Sequence, residues 1–121
     1  NGLEDFDIII PVPLHWKKEF RRGFNQSAIV SINVARILKK RCICGVLVKR
    51  RNTVSQTELS EQERKKNVKG AFRVRRAGLV KDKNLLLFDD VYTSGATTEE
   101  ARKMLLAAGA STVTILTIAK A

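Results

Sequence analysis

Two short runs of uninterrupted apolar residues limit what this chain can fold into more than any other feature of its sequence. Asp7–Val12 reads DIIIPV, and Asn84–Phe88 reads NLLLF. Short runs without polar alternation are typical of strands covered on both faces, which is the environment of a parallel sheet. We therefore expect both runs to be buried strands, and we predict further strands at Gly45–Lys49, Ala71–Arg75 and Val113–Ile118.

The segment between the first two predicted strands contains one strong helical signal. Asn25 is a good N-cap, and residues 26–40 (QSAIVSINVARILKK) are predicted to continue as a crossover helix. Its buried stripe is predicted to consist of Ala28, Ile32 and Ala35. The preceding segment, His15–Asn25, is strongly basic, and we predict a loop there.

A second helix is predicted between the fourth and fifth strands. It should begin near Thr97 or Thr98, and apolar residues then recur at helical spacing, namely Ala101, Met104, Leu105 and Ala108. Gly109 is a natural residue to end it. In the polar stretch 50–70 the only predicted element is a short helix from Ser60, where Ser60 and Glu63 are spaced for a capping box.

These elements form two strand-helix-strand units, and that pattern predicts an α/β fold. Such crossovers are almost always right-handed and generate a parallel sheet flanked by helices. In open parallel sheets, ligands bind beyond the carboxyl ends of the strands. We expect one domain over residues 1–121, because 121 residues suffice for a single core.

The charge of the chain indicates the kind of partner. Its formal net charge is +11, so we expect anionic partners, either phosphorylated metabolites or nucleic acid. We expect no membrane insertion and a cytoplasmic location, because the sequence has neither a long apolar span nor a secretory signal. Cys42 and Cys44 lack the spacing of paired zinc ligands, and we predict reduced thiols packed in a core.

The segment Asp89–Thr98, DDVYTSGATT, directly follows the second apolar run. A loop of small and hydroxyl residues before a helix offers backbone N–H groups and the positive end of the helix dipole, which together favour a phosphate. Asp89 and Asp90 are suited to accept hydrogen bonds from sugar hydroxyls or to order a divalent cation. A diol beside a phosphate indicates a ribose phosphate as the ligand.

Other phosphate-binding motifs are absent from the sequence. There is no G-x-x-x-x-G-K-[ST] loop and no G-x-G-x-x-G turn, and the adjacent acids do not form the D-x-D of aspartyl phosphatases. One structural alternative stays open at this point. Thr97 and Glu100 are spaced for a capping box, so the segment could be a helix cap beside two solvated acids.

The apolar strand, acid pair and T-S-G-A-T loop together resemble the phosphoribosyl pyrophosphate motif of type I phosphoribosyltransferases. Over essentially the whole chain, IIIPVPLH, RRGFNQ, RNTVSQTELSEQERKKNVKGAF and DDVYTSGAT also resemble the ComF family of competence-associated, phosphoribosyltransferase-like proteins. Members of that family usually carry an N-terminal zinc ribbon, which this sequence lacks. The resemblance therefore predicts either one domain of a longer protein or a divergent member.

The resemblance implies roles for particular residues. Asp89 and Asp90 would contact the ribose hydroxyls, and the 5′-phosphate would lie in the loop formed by Thr93, Ser94, Gly95, Ala96 and Thr97. Pyrophosphate would be held by the loop after the first strand, with Pro13, Leu14 and His15, and by Arg50 and Arg51 after the next strand. A flexible loop at Asn52–Asn67 would bring Gln56 or Arg64 inward. Mg²⁺ would be the cofactor, with no protein side chain expected to bind it directly.

Two functions follow from the resemblance and the charge. The first is Mg²⁺-dependent binding of phosphoribosyl pyrophosphate, with transfer of the phosphoribosyl group to a nitrogen nucleophile. The alternative is a non-catalytic accessory protein of DNA uptake that binds single-stranded DNA or a helicase partner. For the second we expect charge outside the cleft, in the cluster Arg73, Arg75 and Arg76.

Overall fold

The computed structural model describes residues 5–53, 59–92 and 95–120. Its strands are β1 (Ile8–Pro11), β2 (Arg41–Cys42), β3 (Leu47–Lys49), β4 (Phe72–Val74), β5 (Asn84–Tyr92) and β6 (Thr112–Lys120). Its α-helices are α1 (Trp16–Arg22), α2 (Gln26–Leu38), α3 (Glu61–Val68) and α4 (Ala96–Ala107), and a 3₁₀ turn spans Ala77–Leu79.

Four strands form a parallel sheet in the order β2-β1-β5-β6, and β3 and β4 form a separate antiparallel pair. The predicted α/β class with a mainly parallel sheet is therefore confirmed. The strand predicted at Gly45–Lys49 exists as β3, but it does not pair with β1. The strand beside β1 is instead β2, Arg41–Cys42, whose residues pair with Ile8 and Ile9. A strand of two residues is too short to be recognised from the sequence.

The uninterrupted apolar runs are buried on both sides of this sheet. Ile8, Ile10, Leu85 and Leu87 belong to one core with β3, β4 and α4. Ile9, Leu86 and Phe88 belong to a second core with Phe6 and α2. Because successive side chains of a strand point to opposite faces, one continuous run supplies both cores. Full burial of each such side chain stabilises the fold by about 1.5–3 kcal/mol.

Helix α2 begins as predicted but buries a different stripe. Asn25 caps it, and its side chain accepts a hydrogen bond from the N–H of Ala28. The buried residues are Ser27, Ser31 and Ala35, while Ile32 is 45% exposed, so the predicted stripe was wrong at Ile32. The face opposite α2 carries large side chains, including Phe6 and Phe88. Small residues at i, i+4 spacing let the helix backbone lie close to them.

The predicted loop at His15–Asn25 is wrong, because Trp16–Arg22 form helix α1. His15 caps its first turn by accepting from the N–H of Lys17, and Gly23 ends it at φ 82° while donating to the carbonyl of Glu19. Only glycine takes this left-handed conformation freely. These local caps form a short helix where the charge pattern alone indicated a loop.

The remaining helices agree with the sequence. Ser60 and Glu63 form the predicted capping box at the start of α3. In α4, Ala101 and Leu105 are fully buried, and Gly109 follows the helix with φ 109°. None of the helices within the described ranges has the length and apolarity needed to cross a bilayer.

Candidate anion-binding site at the carboxyl ends of β1 and β5

The loop after β1 and the acid pair of β5 are brought together by the parallel sheet. Pro11 is in register with Phe88, and the N–H of Val12 donates to the carbonyl of Phe88 over 2.8 Å. Residues 12–15 therefore begin beside Asp89. This is the carboxyl end of both strands, where ligands of parallel sheets bind.

The acid pair lies inside β5 and not in the loop that follows it. Pairing with β6 continues past the end of β1, with Asp89 in register with Thr117 and Tyr92 with Lys120. Both acids are half-buried. Because side chains alternate along a strand, Asp90 lies on the α2 side of the sheet with Phe88, whereas Asp89 lies on the side of Leu87 and the β3–β4 pair.

Asp90 is held by the first turn of α2. The hydroxyl of Ser27 donates to Oδ1 of Asp90 over 2.9 Å and accepts from the N–H of Asp90 over 3.0 Å. Ser27 is only 3% exposed. This reciprocal pair fixes the orientation of the Asp90 carboxylate and leaves its second oxygen for another donor. Nothing in the sequence near Ser27 signals this contact.

Lys49, at the end of β3, lies on the Asp89 side of the sheet and was missed by sequence reasoning. Burial lowers the pKa of its ammonium from 10.5 to about 8, with further lowering by Lys18 and Arg51 and an opposing contribution from Asp89. Its Nζ also lies 5.9 Å from the centre of the Phe72 ring. Side chains alternate along a strand, so Lys49 lies on the same core-facing side of β3 as the buried Leu47. This spacing of two residues is the sequence signal that could have identified Lys49.

His15, the N-cap of α1, is close enough to Lys49 for the charge of Lys49 to act on its pKa. Its side chain is 6% exposed, and its pKa is lowered, first by burial and then by the charges of Lys17, Lys49 and Lys18. Nδ1 accepts from the N–H of Lys17 over 3.2 Å. That bond assigns the proton of the neutral imidazole to Nε2.

The predicted 5′-phosphate loop is described from Gly95 onward, and Thr93 and Ser94 lie outside the described residues. Gly95 is the N-cap of α4, with φ 84° and no capping side chain. Its carbonyl accepts from the N–H of Glu99 and from the hydroxyl of Thr98. Ala96 and Thr97 follow in the first turn of α4, and the positive end of a helix dipole favours an anion.

The alternative of a capping box between Thr97 and Glu100 is wrong. The helix already begins at Ala96, and Oε2 of Glu100 accepts from the N–H of Gly70 over 3.2 Å. Glu100 therefore ties α4 to the segment before β4. A cavity of about 560 Å³ lies between α3 and α4, and its lining includes Gly95 and Ala96.

Arg50 and Arg51, predicted to bind pyrophosphate, both donate to backbone carbonyls. Nε of Arg50 bonds the carbonyl of Gly70 over 2.9 Å, and one terminal nitrogen of Arg51 bonds the carbonyls of Asn67 and Lys69 over 2.7 and 2.9 Å. These bonds join the end of β3 to the end of α3. An arginine has five N–H donors, so both guanidinium groups keep donors for a ligand.

A second cavity of about 420 Å³ lies between the loop after β1 and the β3–β4 pair. Its lining joins the predicted Pro13, Leu14 and Arg50 to Lys49, and it also includes Arg73 and Arg75. We expected the cluster Arg73, Arg75 and Arg76 to lie outside the cleft, and this was wrong for the first two. Because β4 pairs antiparallel with β3, Arg73 lies opposite Val48. Val48, Arg73 and Arg75 all contribute to the lining of this cavity.

The other predicted residues are placed as follows. Gln56 lies outside the described residues, and Arg64 is half-buried in α3. Cys42 is half-buried on β2, whereas Cys44 is exposed, so the predicted packing of both thiols in a core was wrong for Cys44. The pKa of Cys42 is raised to about 12, first by burial and then by Cys44.

The carboxylates were also tested for a metal site. Within residues 5–53, 59–92 and 95–120, no three His, Cys, Asp or Glu side chains come together as a metal cluster. Asp89 and Asp90 face opposite sides of the sheet, and Ser27 engages one oxygen of Asp90. Magnesium keeps several waters and commonly binds through one carboxylate plus phosphate oxygens of a substrate. The donor set fits a cation carried by a ligand and not one held in a protein cage.

Comparisons with known proteins now bear on this site. The chain is 38% identical over 115 residues to the DNA utilization protein YhgH of Escherichia coli O6:H1, covering 95% of this chain and 50% of that protein. It is 32% identical over 121 residues to competence protein F of Haemophilus influenzae, covering 95% and 51%. The chain is a homologue of these proteins. The resemblance to the ComF family is confirmed, and the chain spans about half the length of these relatives.

The fold has a counterpart among enzymes. The chain is 32% identical over 111 residues to the amidophosphoribosyltransferase of Escherichia coli K12, covering 90% of this chain and 19% of that enzyme. A solved structure described as the allosteric regulatory enzyme of purine biosynthesis matches with a TM-score of 0.60 and 24% identity, covering 93% of this chain and 22% of that one. The phosphoribosyltransferase-like fold is therefore confirmed. No protein-family model matches the chain.

Proposed function

We propose that this chain binds phosphoribosyl pyrophosphate together with Mg²⁺ at the carboxyl ends of β1 and β5. The observation that carries the proposal is that the acid pair of β5 is followed in the chain by the start of α4 and lies beside the loop after β1, which shares a cavity with Lys49 and Arg50. Asp89 and Asp90 would accept from the ribose hydroxyls. The start of α4 at Gly95 would receive the 5′-phosphate, because the amino-terminal end of a helix favours an anion.

The pyrophosphate would lie toward Lys49 and Arg50. Both line the cavity that also contains Pro13 and Leu14. Burial lowers the pKa of Lys49, so its ammonium is partly removed from water. Solvent screens an ion pair less in such a site, and the attraction between Lys49 and a phosphate would therefore be stronger than for an exposed lysine. Arg51 and His15 would lie beside the pyrophosphate, with Nε2 of His15 donating a hydrogen bond to it.

Phosphoribosyl transfer is the finer part of the proposal. The bond from the anomeric carbon to the pyrophosphate oxygen would break, and a bond from that carbon to a nitrogen nucleophile would form, with pyrophosphate as the leaving group. Mg²⁺, when bound, would neutralise charge on the phosphate oxygens. The chain's own contribution would be positioning by Asp89 and Asp90 and electrostatic stabilisation of the leaving group by Lys49 and Arg50. A cytoplasmic location is part of this proposal.

Isothermal titration calorimetry with phosphoribosyl pyrophosphate tests the binding step. We expect saturable binding in the presence of Mg²⁺ that weakens strongly when the metal is chelated. The matched ligand is ribose 5-phosphate, which lacks the pyrophosphate and should bind more weakly and with less dependence on Mg²⁺. Absence of binding by the folded protein at millimolar ligand would reject the proposal.

The charge of the chain and the names of its relatives favour a second candidate. The net charge of +11 and relatives named for DNA utilization and competence support a DNA-uptake accessory that contacts single-stranded DNA or a helicase partner. Direct DNA contact predicts an affinity that falls linearly with salt on a double-logarithmic plot, with a slope of about −0.7 per phosphate contacted. Fluorescence anisotropy with a labelled single strand measures this slope. If no binding is detected at low salt, a role in DNA uptake would have to act through protein partners.

A further inference from the structure

The cavity between the loop after β1 and the β3–β4 pair is larger than pyrophosphate binding requires. Its volume is about 420 Å³, within the range of about 300–1,000 Å³ that small-molecule pockets occupy. Its lining includes Cys44, Gly45, Arg73 and Arg75. None of these residues has a role in the ribose phosphate site.

The charges of this cavity are unbalanced. Lys49, Arg50, Arg73 and Arg75 line it with a single acid, Glu19. Among the described residues, the ion pair found is Arg102 with Glu99, on α4. Arg73 and Arg75 are exposed at the cavity wall, and neither forms an ion pair within the part of the chain that the structure describes. Several cations around one concave site favour a ligand with a phosphate group.

The cavity also has an apolar part. Pro13 and Leu14 are half-buried and contribute to its lining, and its walls expose more apolar than polar surface. An inorganic anion would leave these side chains uncovered, whereas a ligand with a flat apolar body would cover them. The cavity therefore suits a molecule that combines an apolar ring system with a phosphate.

We propose that this cavity binds a nucleoside phosphate, with Arg73 and Arg75 holding the phosphate and the proline and leucine side chains contacting the base. The ligand chemistry is shared by a free mononucleotide and by the 5′-phosphorylated end of a single strand. The proposal does not depend on binding of phosphoribosyl pyrophosphate, although the two ligands would share the wall formed by Lys49 and Arg50.

The test compares two charge-matched double variants. Arg73→Gln with Arg75→Gln removes the proposed phosphate contacts. Arg36→Gln with Arg41→Gln removes the same charge at the opposite end of the sheet, since Arg41 is in register with Ile8 at the amino end of β1. All four side chains are exposed, so both variants should fold, and circular dichroism checks this.

Binding of adenosine 5′-monophosphate is measured by calorimetry, with adenosine as the uncharged match. We expect the nucleotide to bind wild type, adenosine to bind at least about tenfold more weakly, and the Arg73/Arg75 variant to lose at least about tenfold in affinity. The Arg36/Arg41 variant should stay close to wild type. Equal losses in both variants, equal binding of adenosine, or no nucleotide binding by wild type would each overturn the proposal.

Two further arms identify the source of the ligand and separate this site from the ribose phosphate site. A short 5′-phosphorylated deoxythymidine strand should compete better than its 5′-hydroxyl counterpart if strand ends are the source, and no better than the mononucleotide if free nucleotides are. Asp89→Asn with Asp90→Asn should abolish binding of phosphoribosyl pyrophosphate and leave binding of adenosine 5′-monophosphate intact. Loss of both ligands in that folded variant would show one site and overturn the proposal.

Discussion

Ser27 and Asp90 join the first turn of α2 to the carboxyl end of β5 through two reciprocal hydrogen bonds, although they lie 63 positions apart in the chain. One turn further along α2, Ser31 is fully buried, and its hydroxyl has no hydrogen-bond partner among the described residues. Two serines on one helical stripe thus differ in whether their hydroxyl is satisfied. This difference predicts opposite effects of the same substitution.

Ser27→Ala should destabilise the protein by about 1.5–3 kcal/mol, because it removes bonds to a half-buried carboxylate and its backbone N–H. Ser31→Ala should be neutral or stabilising by about 1 kcal/mol, because it removes a buried hydroxyl that lacks a partner. Urea unfolding measures both changes, and each variant is the control for the other. Equal destabilisation by the two variants would contradict the role assigned to Ser27.

The acid pair should be separable by single substitutions. Asp89→Asn and Asp90→Asn should each weaken phosphoribosyl pyrophosphate by about 1.5–3 kcal/mol, the value of one charge-assisted hydrogen bond. Asp90→Asn should also lower the free energy of unfolding, because Oδ1 of Asp90 accepts from the hydroxyl of Ser27. Calorimetry and urea unfolding of the two variants measure these effects. Unchanged affinity in the folded double variant would end the ribose assignment.

Lys49 should make ligand binding depend on pH near 8. Its pKa of about 8 means that the ammonium loses its charge as the pH rises through that value. Binding of a pyrophosphate anion should therefore weaken from pH 7 to pH 9 by up to about tenfold, or ~1.4 kcal/mol, which is the limit for losing one proton over one pH unit above that pKa. Lys49→Arg keeps the charge and should remove this dependence. A wild-type affinity that stays constant over the same range would exclude contact between Lys49 and the ligand.

The effect of Lys49 on stability has the opposite sign. A lysine whose pKa falls from 10.5 to about 8 on folding binds fewer protons in the native state than in the unfolded state between these values. Its contribution to the free energy of unfolding should therefore rise with pH from about 8 to 10.5. Lys49→Met should remove that rise. Ligand-free urea unfolding at several pH values, compared with wild type, checks the sign.

The sequence predicted the parallel sheet because its signals are local. The uninterrupted runs Ile8–Pro11 and Leu85–Phe88 are strands buried on both faces, and the helix starts at Asn25 and Ser60 carry their own caps. Strand β2 was missed because two residues, Arg41 and Cys42, hold its place by backbone pairing alone. Such pairing leaves no hydrophobic pattern to detect.

The candidate site was predicted only in outline, because its geometry depends on contacts between distant segments. The motif identified Asp89 and Asp90, but not that β6 keeps them within a strand and so turns them to opposite faces. The resemblance to type I phosphoribosyltransferases pointed to Arg50 and Arg51, whereas the half-buried Lys49 is a cation that interacts with Asp89. The partnership of Ser27 with Asp90 follows from packing of α2 on the sheet.

Gly95 tests whether the start of α4 is an anion site or only a helix end. Its φ of 84° is a conformation that side chains other than glycine rarely adopt, and a branched side chain would also block an anion from the first N–H groups of the helix. Gly95→Val should therefore abolish binding of phosphoribosyl pyrophosphate. Gly78→Val is the matched control, because a Cβ there meets no atom within 4 Å and Gly78 has no positive φ. We expect the control to bind phosphoribosyl pyrophosphate with wild-type affinity in calorimetry. Wild-type affinity in a folded Gly95→Val variant would show that the start of α4 is only a helix end and not an anion site.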